Sequence, residues 1–80
     1  MIEVELRLYA TLRRYRPESP LEGGETVLLP VGSTLLDLLA GLGIPAADVQ
    51  TAFVNRKVRA MEQKLAPGDR VDLFPAIAGG

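Results

Sequence analysis

The sequence predicts an α+β domain in which a mixed sheet of about five strands carries one main helix on one face. Two observations lead to this fold class. Apolar and polar side chains alternate over residues 2–9, which is typical of a half-buried strand. Leucines recur through residues 35–42 at the spacing of a single helical stripe. Because only one helix is predicted, it must cover one face of the sheet to bury that stripe.

The first half of the chain predicts a β-hairpin followed by the helix. Residues 2–9 form the first strand, and residues 10–16 have room for about one helical turn. Residues 17–24 hold two prolines and two glycines, which interrupt both helices and strands and therefore indicate a loop. Residues 25–30, ETVLLP, predict the second strand, which pairs with the first as a hairpin.

The helix is predicted over residues 34–42. Thr34 and Asp37 have the spacing of a capping box, although Glu or Gln is favoured at its last position. Gly43 and then Pro45 give the stop signal. The apolar stripe consists of Leu35, Leu38, Leu39 and Leu42.

The second half of the chain predicts three strands separated by turns. The strands are predicted at 51–55, at 58–60, where a short strand returns, and at 70–75. A linker or single turn at 45–48 precedes them, and turns at 55–57 and at the Pro-Gly sequence of 66–69 separate them. The last strand is expected beside the first. This order of elements is the β-grasp, or ubiquitin-like, layout. We expect a β-grasp domain over residues 1–75 and a flexible Gly-Gly tail over residues 76–80.

Composition excludes most kinds of active site. The chain has 80 residues, 48% of them hydrophobic, which suits one small domain with an aliphatic core. It has no Cys and no His, so thiolate nucleophiles, sulfur ligands and the usual neutral-pH base are missing. A net charge of −1 gives no general attraction to nucleic acid or to an anionic membrane. Acidic residues near the start and the lack of a long apolar run lead us to expect a cytoplasmic protein.

The C-terminal dipeptide Gly79-Gly80 suggests a chemical role for the tail. Glycine has no Cβ and adopts any backbone conformation, so a Gly-Gly end can enter a narrow channel in another protein. Pro75 cannot donate a ladder hydrogen bond, and it marks the point where the sheet is left behind. Residues 76–80 would then extend about 17 Å from a rigid body.

Several motifs resemble one family. The spaced matches in VNRKVRAMEQKLAPGDRVDLFPAIAGG, residues 54–80, resemble the C-terminal third of the MoaD/ThiS family of sulfur-carrier proteins. LPVGSTLLDLLAGLGIP at 29–45 and LRLYATLRRY at 6–15 also resemble it, whereas Ala76 stands where the family often has a second proline. The matching positions in the last segment are Val54, Asn55, Leu65, Gly68, Asp69, Val71, Leu73, Phe74, Pro75, Gly79 and Gly80.

The resemblance implies a carrier that is not itself an enzyme and binds no cofactor or metal. An E1-like adenylating enzyme of the MoeB/ThiF type would use ATP and Mg to adenylate the carboxylate of Gly80. A sulfur donor system would then displace AMP and leave a thiocarboxylate. In the MoaD branch the tail enters the large subunit of molybdopterin synthase, of the MoaE type, and gives its sulfur to a pterin precursor. The expected partner-binding residues are Phe74, Pro75, Ile77, Ala78 and Gly79.

Other functions stay open. The LFPAIAGG ending favours the MoaD branch, but a carrier for thiamine, tRNA thiolation or a tungsten-pterin fits the same residues. A protein modifier conjugated through Gly80 shares the activation step. A passive ubiquitin-like interaction module would not use the tail at all.

Side chains outside the tail give weaker signals. Alternation in the last strand places Phe74 on the outward face with Asp72, where it either docks a partner or packs against the domain's own edge. The arginines at 7, 13, 14 and 16 are followed by glutamates at 18, 22 and 25, so the local charge is mixed, which favours a solvated face over a partner site. Asp69 is predicted as a turn residue, and Asp48, Asp69 and Asp72 are too dispersed to form an acid pair.

Overall fold

In the described part of the chain, five strands, one α-helix and two 3₁₀ helices make up the fold. The computed structural model describes residues 1–20 and 23–76. Within that part of the chain the elements are β1 (Ile2–Leu8), a first 3₁₀ helix (Ala10–Tyr15), β2 (Glu25–Leu29), α1 (Leu35–Leu42), a second 3₁₀ helix (Ala46–Asp48), β3 (Val49–Val54), β4 (Lys57–Val58) and β5 (Arg70–Pro75).

The strands form one mixed sheet in the order β2-β1-β5-β3-β4. β1 pairs antiparallel with β2 and parallel with β5, and β5 pairs antiparallel with β3. β4 adds a short antiparallel edge beside β3. The predicted hairpin and the predicted pairing of the last strand beside the first are both confirmed. The predicted fold class, a ubiquitin-like β-grasp, is confirmed with them.

Several boundaries differ from the predictions by one or two residues. β1 ends at Leu8 and β2 at Leu29, each one residue earlier than predicted. β3 begins at Val49 rather than residue 51, because its pairing with β5 shifts register between Val49 and Thr51 and breaks the alternation. β4 covers Lys57–Val58 rather than residues 58–60.

The capping box at the start of α1 is confirmed. Thr34 is the N-cap: its Oγ1 accepts a hydrogen bond from the Asp37 amide at 3.2 Å, and its own amide donates to Asp37 Oδ2 at 2.9 Å. Asp37 therefore accepts the hydrogen bond that a Glu or Gln side chain usually accepts at this position of a capping box. Gly43 ends the helix at φ 73°, a left-handed conformation that glycine adopts at little cost.

The core lies between α1 and one face of the sheet. Leu35, Leu38 and Leu39 are at most 1% exposed, whereas Leu42 is only partly buried. They pack in one cluster with the inward side chains of the strands, which include Val4, Leu6, Ala52, Val54, Val71 and Leu73. Burying one leucine contributes roughly 1.5–3 kcal/mol relative to leaving it in water, so this side of the sheet carries most of the stability.

Candidate functional site

The C-terminal strand occupies a rigid position in the sheet. β5 lies between β1 and β3, and Pro75, its last residue, is the register partner of Val49. Just beyond the strand, the Ala76 amide donates to the Asp48 carbonyl at 3.0 Å. The chain is thus held in place up to the base of the predicted tail.

Asp48 links that base to the first 3₁₀ helix. Its carboxylate accepts a hydrogen bond from Tyr15 Oη at 2.5 Å, and Arg14 Nη2 lies 3.5 Å away. The hydrogen bond that Arg14 donates to Tyr15 Oη, and secondarily the nearby charge of Asp48, raise the pKa of the Arg14 guanidinium above its ordinary value. Two short helices therefore brace the point where the chain leaves the sheet.

The predicted tail residues Ile77, Ala78, Gly79 and Gly80 lie outside the described residues, as do Leu21 and Glu22 of the predicted loop. The roles assigned to the four tail residues, and the division of the chain at residue 75, stay predictions.

Phe74 lies on the face of the sheet that α1 does not cover. Its ring stacks on Tyr9 with centroids 4.3 Å apart and planes 9° from parallel. The ring of Phe53 meets it edge-on at 5.4 Å. All three side chains are half-buried, so Phe74 packs on its own domain and still presents part of its ring to solvent. We call Tyr9, Phe53 and Phe74 the aromatic cluster.

A buried carboxylate lies beside the aromatic cluster. Asp72 is 4% exposed, and it accepts hydrogen bonds from Tyr9 Oη at 2.9 Å and from Arg70 Nε, also at 2.9 Å. The hydrogen bond that Arg70 donates to Asp72 raises the pKa of Arg70 above its ordinary value. Sequence reasoning placed Asp72 outward but missed this network. The signal was the Arg-x-Asp spacing, which puts both side chains on one face of a strand.

The β3–β4 turn is fastened to the start of β5 by Asn55. Asn55 Nδ2 donates to Asp69 Oδ1 at 2.9 Å, and Asn55 Oδ1 accepts from the Arg70 amide at 2.9 Å. Asp69 Oδ2 also accepts from the Ala66 amide at 2.7 Å, which confirms Asp69 as a turn residue. The predicted turn at residues 55–57 is confirmed for residues 55 and 56, whereas residue 57 belongs to β4. Its central residues, Asn55 and Arg56, have φ values of 53° and 68°.

The arginines of the N-terminal half mostly bind their own domain. Arg16 pairs with Glu25, and Arg7 Nε lies 2.7 Å from Glu5. Arg13 donates to the main-chain carbonyls of Leu8, Ser19 and Pro20, at 3.1 to 3.3 Å. Because these contacts occupy the guanidinium groups, they support the prediction that this face is not a partner site, although Arg7, Arg13 and Arg16 are bound to their own domain rather than simply solvated.

An open concavity of about 370 Å³ lies on the uncovered face. Three rings, two guanidinium groups and one carboxylate line it, so the charged side chains leave a net positive charge and the site suits a ligand that is partly apolar and partly anionic. Its lining residues are Tyr9, Phe53, Arg56, Arg70, Asp72 and Phe74.

Two absences apply to residues 1–20 and 23–76 alone. No three acidic side chains come together there as a cation site, and no helix is long and apolar enough to cross a membrane. The expected lack of a bound metal or cofactor and the expected cytoplasmic location stay predictions.

The fold and the braced C-terminal strand define a ubiquitin-like protein of the β-grasp class. The chain belongs to the ThiS family, which it matches over residues 6–80. Members of that family are small ubiquitin-like sulfur carriers. No curated protein sequence matches the chain.

Solved structures share the fold at low sequence identity. A protein of Pyrococcus furiosus, named as a molybdopterin converting factor subunit 1, is 22% identical with a TM-score of 0.74, over 96% of this chain and 100% of its own. Small archaeal modifier protein 1 of H. volcanii is 20% identical with a TM-score of 0.73, over 96% and 100%. The complex of subunits 1 and 2 of the molybdopterin-converting factor from Helicobacter pylori contains a chain 20% identical with a TM-score of 0.61, over 99% and 100%.

Proposed function

We propose that this chain is a sulfur carrier whose Gly80 carboxylate is converted to a thiocarboxylate, and that its sulfur goes to molybdopterin synthesis. The observation that carries the proposal is the braced end of β5, where Ala76 bonds to Asp48 at 3.0 Å. Four residues follow it, enough to reach about 13 Å when extended. A fixed starting point, followed by a short segment that ends in two glycines, suits delivery of a terminal group into another protein's active site.

The chemistry begins on the activating enzyme. A Gly80 carboxylate oxygen attacks the α-phosphorus of ATP, forming an acyl adenylate and releasing pyrophosphate. Hydrosulfide released by a sulfur donor system then attacks the acyl carbon, AMP leaves with the carbon–oxygen electron pair, and loss of the S–H proton gives the thiocarboxylate. On the acceptor, the thiocarboxylate sulfur attacks an electrophilic carbon to form a thioester, and water cleaves that thioester, which returns the Gly80 carboxylate and leaves the sulfur on the acceptor. The carrier needs neither Cys nor His, because other proteins supply both the activation and the sulfur.

The partners follow from this chemistry. An adenylating enzyme of the ubiquitin-activating type performs the first step with ATP and Mg. The molybdopterin assignment draws on the converting-factor names of the Pyrococcus and Helicobacter structures, the latter a complex of two subunits. We therefore propose a large synthase subunit as the second partner.

The decisive experiment is the intact mass of the chain purified from its own host. A species in which one oxygen is replaced by sulfur, localised to Gly80 by fragmentation, supports the carrier. A variant lacking Gly80 is the control and must lose that species. If the variant still supports molybdopterin synthesis in the host, the tail is not used and the proposal is wrong.

A second candidate is a protein modifier, because the chain shares its fold with small archaeal modifier protein 1. The same adenylated Gly80 would then be passed to a lysine amine. Peptide mapping of conjugates from the host separates the two. Isopeptide-linked Gly80 on target lysines supports the modifier, whereas a free thiocarboxylate without conjugates supports the carrier.

A further inference from the structure

We propose that Arg56 and the aromatic cluster form a recognition site for an acidic side chain on the activating enzyme. The inference rests on the proposed function, since it names a contact made by the enzyme that adenylates Gly80. The site is the open concavity of about 370 Å³ on the uncovered face of the sheet. Its rings would pack on the methylene groups of an Asp or Glu, and its cations would meet the carboxylate.

The charge at this site is not balanced from within the domain. Arg70 is bound to Asp72 through Nε and Nη2, so those two groups are already paired. Among residues 1–20 and 23–76, by contrast, Arg56 forms no ion pair. An anionic group from outside complements this surface.

Arg56 also occupies a position that turn geometry does not favour. A two-residue hairpin turn with both central residues at positive φ is best made by Asn followed by Gly. Asn55 fits that rule, but Arg56 holds φ 68° with a long side chain. Strain of this kind is found where a side chain has a task that outweighs its backbone cost. The unfavourable conformation and the unbalanced charge belong to the same residue.

The route of the chain identifies the occupant. Phe74 lies on the uncovered face only two residues before Ala76, where the braced chain ends. An enzyme that draws the following residues into its active site therefore comes close to this face. Activation is the step shared by the carrier and the modifier. An apolar enzyme surface over Arg56 would remove the water that hydrates the guanidinium and offer no acceptor for its hydrogen bonds. An acidic residue is therefore favoured there.

The test measures adenylation kinetics with the host's adenylating enzyme of the ubiquitin-activating type, as ATP–pyrophosphate exchange against concentration of the chain. Arg56→Gly removes the charge and relieves the turn, so its melting temperature should equal or exceed that of the unsubstituted chain. Its KM should rise about tenfold with kcat unchanged, because a rim charge contributes to encounter and docking. Arg56→Gln should do the same, and Arg56→Lys should keep most of the affinity.

Lys64→Gln is the matched control. It makes the same change in net charge at an exposed position beside Thr34, next to the helix rather than the aromatic cluster. Its KM should stay unchanged. The inference is overturned if Arg56→Gln keeps the unsubstituted KM, or if Lys64→Gln raises KM equally. If the unsubstituted chain is never adenylated, the proposed function fails and this inference with it. If adenylation is normal in every Arg56 variant, only the inference fails.

Discussion

The two faces of the sheet differ in what each does with the same alternating strands. One face meets α1 and holds a closed aliphatic core, including Leu38 and Leu73 at 0% exposure. The other is not covered by α1 and carries rings, ion pairs and single apolar side chains such as Leu28, 57% exposed. Stability therefore comes mainly from the first face, which leaves the second free to contact other proteins.

Truncating a leucine should destabilise the domain far more on the covered face than on the open face. Leu73→Ala removes a fully buried side chain from β5 and should lower the free energy of unfolding by about 3 kcal/mol, because it leaves a cavity. Leu28→Ala makes the same chemical change on the open face and should cost less than about 0.5 kcal/mol. Urea unfolding followed by circular dichroism measures both. Similar losses from the two variants would contradict the division between the faces.

The turn held by Asn55 should show the next largest effect. Asn55→Ala removes two side-chain hydrogen bonds and leaves a Cβ residue at φ 53°, so we expect a loss of about 2 kcal/mol. Asn55→Gly loses the same hydrogen bonds but relieves the backbone, and should cost about 1 kcal/mol. Chemical denaturation of both variants gives the comparison. If Asn55→Ala lowers the free energy of unfolding no more than Asn55→Gly does, the left-handed backbone at position 55 does not affect the stability.

The sequence predicts the covered face better than the open one. Alternation in β1, the leucine stripe and the Thr34–Asp37 box are local patterns, and each places a side chain in the core or at a cap without knowledge of distant residues. The open face depends on contacts between remote segments. The hydrogen bond from Tyr9 to Asp72 joins residues 63 positions apart in the sequence, and no local periodicity predicts it. Local patterns also fail to predict the shift in register at Val49, because it depends on the pairing of β3 with β5.

Phe74 tests whether the open face serves contact as well as stability. Phe74→Ala loses the stacking on Tyr9 and should destabilise the domain by about 1.5 kcal/mol. We also expect weaker binding to the activating enzyme, because the exposed part of the ring would be lost from the interface. Calorimetric melting and binding measured on the same sample separate the two effects. Phe74→Leu is the control that keeps apolar bulk without the ring. Unchanged affinity in Phe74→Ala would end the docking hypothesis.

Substitution of Glu25 should give the smallest change in stability. Glu25 is also the clearest exception to the difference between the two faces, because it is a charged residue on the core side. Its register partner in β1 is Leu6, so this carboxylate lies on the side of the sheet that holds the core. Arg16 and Ser19 donate hydrogen bonds to it from the loop that covers this corner. The hydrogen bond from Arg16, more than that from Ser19, lowers the pKa of Glu25 below its ordinary value of 4.5.

The sign of the pH dependence follows from that lowered pKa. The ionised form is favoured in the folded state, so its contribution is fully present above pH 4.5 and disappears as the pH falls through the folded pKa. Because the Arg16 side chain is 40% exposed, solvent screens the pair and Glu25→Gln should cost only about 0.5–1 kcal/mol at neutral pH. Unfolding of both proteins from pH 7 to pH 3 measures the difference, which should shrink towards the acid end. A difference independent of pH would mean that shape rather than charge makes Glu25 acceptable on the inner face.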